Sequence, residues 1–210
     1  MKKLLIAVTA LLVFGFSSNV KSQNSYIEAN FGMSVFTQTY NIDAGPLHVS
    51  PETDINVMNL SVGYNYALSQ DLFVGATLGY SKHSGDNLNF GVASYTPEVS
   101  LYTISPKLTY YKVLGNTNFY WTPNFYLTVG FGKEEFVAGY DVKYMNYRIG
   151  FNPLSFDFRI LPVLSVNVTA LTPYYNIFSA SLSGNGNNYD ISTDNAFVYL
   201  GGQIGIKLHF

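Results

Sequence analysis

The chain has 210 residues, of which 48% are hydrophobic, 17% aromatic and only 11% charged, with a formal net charge of −2. An ordinary soluble domain is about 25% charged, so this composition does not describe a globule bathed in water on all sides. The lack of cysteine excludes a disulfide framework and thiolate metal sites, and the lack of a basic excess excludes nucleic acid as a partner.

Met1-Lys2-Lys3 is a basic start, Leu4 to Phe16 is an apolar run, and Val20-Lys21-Ser22 places small residues where a signal peptidase reads them. Residues 1–22 are expected to be a bacterial secretory signal peptide, and residues 23–210 a single domain. After residue 22 there are 8 basic and 13 acidic residues, a net charge of −5. No later stretch has the continuous apolar length of a membrane helix.

The remaining chain reads in steps of two, the side-chain period of a strand. Residues 25–38 place Ile27, Ala29, Phe31, Met33 and Val35 on one face and Glu28, Asn30, Gly32 and Ser34 on the other. Strands are predicted in the same way over 56–67, 71–82, 98–113, 118–133, 147–161, 163–176 and from about Asn195 to the C-terminus. Short turns fall near Ser69-Gln70, Gly115-Asn116 and Leu161-Pro162. Longer polar stretches at 39–55, 83–97, 134–146 and 177–194 are read as loops. Alternating short and long connections predict an up-and-down meander of eight antiparallel strands.

Turn positions give a test of register, because facing residues of an antiparallel pair sum to a constant. A centre at Ser69 sets Tyr66 opposite Leu72 and Val62 opposite Ala76. A centre between Gly115 and Asn116 sets Pro106 opposite Phe125, and one at Pro162 sets Phe158 opposite Val166 and Asp157 opposite Asn167. Each keeps the apolar residues on one face, which a slip of one residue destroys. Pro106, Pro123 and Pro173 lie within predicted strands and cannot donate to a ladder; a local bulge at the short-turn end is expected around Pro106 and Pro123.

The polar face is mostly Gly, Ser, Thr and Asn, residues that fit a crowded interior. A soluble barrel of the lipocalin kind needs Lys and Glu on that face instead. The apolar face is therefore assigned to lipid. Only helices or a closed sheet can span hydrocarbon, where backbone groups have no water to bond, so the fold class expected is all-β: an eight-stranded antiparallel up-and-down transmembrane β-barrel. The last strand, with Ile204, Ile206, Leu208 and Phe210 on one face, resembles the C-terminal signature of bacterial outer-membrane barrels. The segments Ile104–Tyr111 and Phe125–Gly132 resemble the small OmpA/OmpX-type barrel family. The resemblance implies a porin-like integral outer-membrane protein of the cell envelope. It also implies contact with lipid and lipopolysaccharide, and recognition of the last strand by the barrel assembly machinery.

Five charged residues face inward on this reading: Glu28, Lys107, Asp157, Arg159 and Lys207. Glu28 and Lys207, on the strands that close the barrel, are expected to approach each other. Asp157 and Arg159, about 7 Å apart along one face, complete with Lys107 an ion-pair network filling the lumen. Tyr64, Tyr66, Tyr110, Trp121 and Phe158 are predicted as one interfacial aromatic girdle, and Tyr80, Phe131, Tyr174 and Tyr199 as the other. His48-Val49-Ser50 with Glu52, and His83-Ser84 with Asp86, have the residue types of a hydrolase but sit in predicted loops. Gly184-Asn-Gly-Asn-Asn188 with Asp190 has the look of a calcium loop in a single copy. Asn59-Leu60-Ser61 and Asn167-Val168-Thr169 match the glycosylation triplet mid-strand. No catalytic, cofactor or metal residues are assigned. The function expected is that of a non-enzymatic anchor presenting four long extracellular loops, with a protein partner at those loops as the open candidate. An accessory subunit of a secretion or transport complex, a narrow pore and a lipid A-modifying enzyme stand as alternatives.

Overall fold

The computed structural model describes residues 25–210 apart from 45–46, 50–51, 87, 90–93, 96–97, 116–117, 138–139, 185–186, 194–195 and 199. The predicted signal peptide, Tyr199 and the His48-Ser50 candidate lie outside the described residues or side chains. Every regular element described is a β-strand. In chain order these are β1 (Tyr26–Ala44), β2 (Leu47–Val49), β3 (Glu52–Ala67), β4 (Leu72–Gly85), β5 (Leu88–Asn89), β6 (Ser94–Tyr95), β7 (Glu98–Tyr110), β8 (Lys112–Val113) and β9 (Phe119–Trp121). They continue with β10 (Asn124–Val137), β11 (Tyr140–Asn152), β12 (Ser155–Leu161), β13 (Leu164–Thr169), β14 (Tyr174–Gly184), β15 (Asn187–Thr193), β16 (Ala196–Val198) and β17 (Leu200–His209).

All pairings are antiparallel. They run β1–β3–β4–β7–β10–β11–β14–β15, and β15 returns to β1 through Tyr40 opposite Thr193. At the other end β1 pairs with β17 from Tyr26 opposite His209 to Val35 opposite Leu200, and β17 continues to β13, β12 and β9. The first strand is thus bonded on both sides, and the sheet has no seam between its terminal segments.

The hairpin centred on Pro162 has the expected register, with Phe158 opposite Val166 and Asp157 opposite Asn167. Two others are displaced by two residues. Tyr66 faces Val74 rather than Leu72, and Phe125 faces Leu108 rather than Pro106. In the first case Leu68 N and Ser69 N both donate to Leu72 O, at 2.8 and 3.2 Å, while Ser69 Oγ accepts from Leu72 N at 3.2 Å. That wider turn centres on Gln70. An even displacement leaves every side chain on its predicted face.

The four stretches read as long loops are mostly paired strand. β1 and β3 still pair at Thr39 and Glu52, β4 and β7 at Ser84 and Glu98, β10 and β11 at Val137 and Tyr140, and β14 and β15 at Gly184 and Asn187. Polar residues mark where the sheet leaves an apolar surrounding, not where the ladder stops.

Proline breaks the sheet along one line across three neighbouring staves: at Thr122-Pro123 between β9 and β10, at Pro153-Leu154 between β11 and β12, and before Pro173 between β13 and β14. The ladder survives through carbonyls that proline still offers: Tyr110 N donates to Pro123 O at 3.0 Å and Phe151 N to Pro173 O at 3.1 Å. Pro106 stays inside β7, opposite Ala76. Only the rungs towards β10 are missing there, between Ile104–Val129 and Lys107–Tyr126. The register is unchanged across Pro123, from Lys112 opposite Trp121 to Asn124 opposite Thr109, so the expected bulge is found at neither proline. At the second and third breaks the inward face changes parity. Ser155, Asp157, Ser165 and Asn167 point in below them; Asn146, Arg148, Tyr174 and Asn176 point in above.

Around the middle of the barrel the outside is apolar: Met33, Leu60, Val62, Ile104, Phe131, Ile149 and Ile206 are exposed, Leu60 by 54% and Ile206 by 52%. Inward-facing Asn30, Ser34, Asn65, Thr109, Thr128 and Asn167 are buried. Towards the rim the arrangement inverts. Thr37, Asp54, Asn56, Glu98 and Ser100 face out, while Phe36, Ile55, Val57, Val99, Leu101, Val142, Tyr144 and Phe178 pack inside.

Candidate functional site

The lumen is the enclosed polar region of the fold, and it is filled in layers. At the short-turn end Tyr26, Phe73 and Tyr111 form an aromatic floor, with the Tyr26 and Phe73 rings 5.4 Å apart and those of Phe73 and Tyr111 4.7 Å apart. Ala67 and Tyr120 pack against this floor, and the His209 ring lies 5.4 Å from that of Tyr26.

Above the floor lie the charges. Glu28 and Lys207 are cross-strand partners, but each makes its ion pair elsewhere. The Glu28 carboxylate pairs with Lys107 and accepts from Asn65 Nδ2 at 3.1 Å. The Lys207 ammonium donates to both oxygens of Asp157 at 2.9 Å and to the Tyr111 hydroxyl at 2.9 Å. It also lies 4.9 Å from the centre of the Tyr26 ring. Asp157 further accepts from Tyr111 at 2.7 Å and from Asn167 at 2.6 Å. Glu28 and Lys207 thus face each other across the ladder as expected, but each ion-pairs with a charge on another strand, Lys107 of β7 and Asp157 of β12. Arg159 stands apart, its guanidinium 5.0 Å over the Tyr120 ring near the lower mouth.

Arg148 heads a second layer that the sequence reading missed. Its Nη1 donates to Asn59 at 3.2 Å, and its Nη2 donates to Ser81 at 3.2 Å and to His83 Nε2 at 2.6 Å. The guanidinium also lies 5.4 Å over the Tyr174 ring, whose hydroxyl is 2.9 Å from Ser34 Oγ. For His83 to accept at Nε2, its ring must be neutral with the proton on Nδ1. Reading 147–161 as one unbroken strand gives even positions the outer face and so turns Arg148 outward. Pro153 was the signal that parity changes there. Tyr174 is turned inward by the matching break at Pro173 and does not belong to a girdle; Tyr102 and Tyr175 are exposed outside instead.

Between the two charged layers is a chamber of about 130 Å³ lined by Asn30, Lys107, Thr128, Arg148, Asn152 and others. The hydrolase candidate His83-Ser84 is not assembled: His83 is engaged with Ser81 and Arg148 on the inner face. Of the glycine-rich tip, 185–186 lie outside the described residues, and Asn187–Thr193 is strand β15. On the last strand Ile204, Ile206, Leu208 and Phe210 are all exposed on the outer face. Phe210 stacks on Tyr64, 6.3 Å between ring centres.

No family model and no curated protein matches the sequence. Among solved structures, the chain is similar to outer membrane protein AlkL in lipid bilayers, with 14% identity over 92% of this chain and 93% of that one and a TM-score of 0.51. It is also similar to outer membrane protein OprG from Pseudomonas aeruginosa, with 15% identity over 89% of this chain and 96% of that one and a TM-score of 0.48. A third similarity is to the N-terminal β-barrel domain of Pseudomonas aeruginosa OprF, with 12% identity over 90% and 98% of the two chains and a TM-score of 0.42. The chain has the all-β fold of the small outer-membrane β-barrels.

Proposed function

We propose that this protein is a non-enzymatic, sealed, eight-staved barrel of the bacterial outer membrane. In this reading it anchors a water-exposed rim at the cell surface, where the rim meets a partner. The eight staves follow when segments that share a register across the proline line are joined, such as β11 with β12 and β13 with β14. The apolar band supports the membrane setting: exposed apolar residues run from Met58 to Tyr66 on β3 and from Tyr102 to Tyr110 on β7. That is about the 9–11 residues a tilted strand needs to cross hydrocarbon. With the short turns in the periplasm, the paired hairpin extensions face outward from the cell, and the surface on offer is a stiff polar wall rather than four loops. The exposed row ending in Phe210 supports a role for the last strand in recognition by the assembly machinery.

The observation that carries the reading is the filling of the lumen at successive heights: the aromatic floor, the two ion pairs, the Arg148 layer and the apolar core of the rim. An eight-stranded barrel has room inside only for side chains, and here they interlock. Planar-bilayer recording is the test. The purified protein is expected to insert without steady conductance, and a stable open level in the wild type overturns the sealed reading in favour of the pore.

A further inference from the structure

Among the residues whose side chains are described, the charges of the lumen do not balance. Among the described residues, the inner face carries Glu28 and Asp157 against Lys107, Lys207, Arg148 and Arg159. Both carboxylates are taken, Glu28 by Lys107 and Asn65, and Asp157 by Lys207, Tyr111 and Asn167. Arg159 sits near the lower mouth on Tyr120 and is half-buried. Arg148 is different. It is 5% exposed, it lies at the height of exposed Tyr147 and Ile149 on the outer face of the same strand, and all its described partners are neutral. A buried charge without a counter-charge is strongly unfavourable.

Its Nε–H has no acceptor, and the residue lines the chamber. The chamber's 130 Å³ is about ten times the least volume that admits one water. Asn30 and Asn152 line it as well, each with an unbonded buried Oδ1; a hydrated ion supplies the donors these acceptors lack. A guanidinium with a free N–H, held by a ring face and by neutral acceptors at its other nitrogens, is a built receptor for a negative charge. We propose that the chamber binds one small monovalent anion, of the size of chloride or formate, against Arg148, with waters bridging it to Asn30 and Asn152. The anion supplies the counter-charge that the described partners of Arg148 lack, and the barrel is then tuned by the halide or small carboxylate content of its surroundings.

The test uses the full chain refolded in detergent, with chloride as the probe and gluconate, a bulky and weakly coordinating anion, replacing it at constant ionic strength. The wild type is expected to show a saturable rise in the unfolding midpoint with chloride and an excess ³⁵Cl line width that formate competes away. Arg148→Gln is expected to abolish both. Thr128→Met, which extends a longer apolar side chain from the chamber wall without removing a charge, is expected to weaken the line broadening even if Arg148→Gln does not fold. A wild-type midpoint indifferent to chloride, or excess broadening undiminished in either folded variant, overturns the proposal; the first outcome assigns the chamber to water alone.

Discussion

Glu28 and Lys207 face each other across the ladder between the first and last strands, yet the carboxylate bonds to Lys107 and the ammonium to Asp157. The closing ladder is thereby tied to two other strands, β7 and β12, through the interior. Neutralising one partner leaves a buried uncompensated charge. Lys207→Met is expected to cost about 3–5 kcal/mol, measured by urea unfolding of the refolded barrel. Asp157→Asn combined with Lys207→Met is expected to cost less than either change alone suggests. Additive losses in that double-mutant cycle contradict the pairing.

Gly75 bears on the same layer from outside the ion pairs. A Cβ built there meets the Tyr64 carbonyl at 2.4 Å and Asn65 Oδ1 at 2.3 Å. The first contact is backbone and has little room to give, and the second displaces the amide that serves Glu28. Gly75→Ala is expected to destabilise by about 1–3 kcal/mol as overpacking does, read from the same unfolding curves. An unchanged midpoint shows that β3 and β4 part more easily than their register implies.

The inversion of polarity along β3 predicts opposite outcomes for one substitution at two heights. Val62 is exposed within the apolar band, so Val62→Arg is expected to cost about 2–4 kcal/mol when folding is measured in bilayers. Asn56, also outward-facing, lies six residues higher on the same strand, where Asp54 is its outward neighbour. Asn56→Arg is expected to fall within about 0.5 kcal/mol of the wild type, as surface changes do. Equal penalties at the two sites place the membrane boundary elsewhere.

The faces of β1, β3, β4 and β7 were legible in the sequence because they follow one parity from end to end. Leu60 and Ile206 are turned outward, as their alternation requires. Arg148 and Tyr174 were not legible. A strand reading carries parity through Pro153 and Pro173, whereas the chain adds a turn at the first and an irregular stretch before the second, and both staves change face together. The rim was misread for a different reason: Thr, Asn and Asp alternating with apolar residues look like loop composition, but above the band water replaces lipid and the same alternation builds an ordinary strand with its apolar side inward. The partners of Glu28 and Lys207 depend on where long side chains reach across the axis, which no single strand's pattern records.

That apolar side gives the rim a core of its own. Leu101 is fully buried between Val99, Val142, Tyr144, Phe178 and Ala180, residues of β7, β11 and β14, and it reaches over Gly130 and Gly132 of the intervening β10. It ties these neighbouring strands together above the apolar band. Leu101→Ala removes the largest buried aliphatic side chain of that cluster and is expected to cost about 2–5 kcal/mol locally. The band below keeps its own ladders and ion pairs, so the loss is expected to stay in the rim. Limited proteolysis in bilayers separates the two regions: the variant is cut faster in the β10–β11 and β14–β15 hairpins, while the fragments remain associated as a heat-modifiable barrel. Unchanged cleavage means that the rim is held by its ladders alone, and a barrel that falls apart on cutting means that rim and band unfold as one unit.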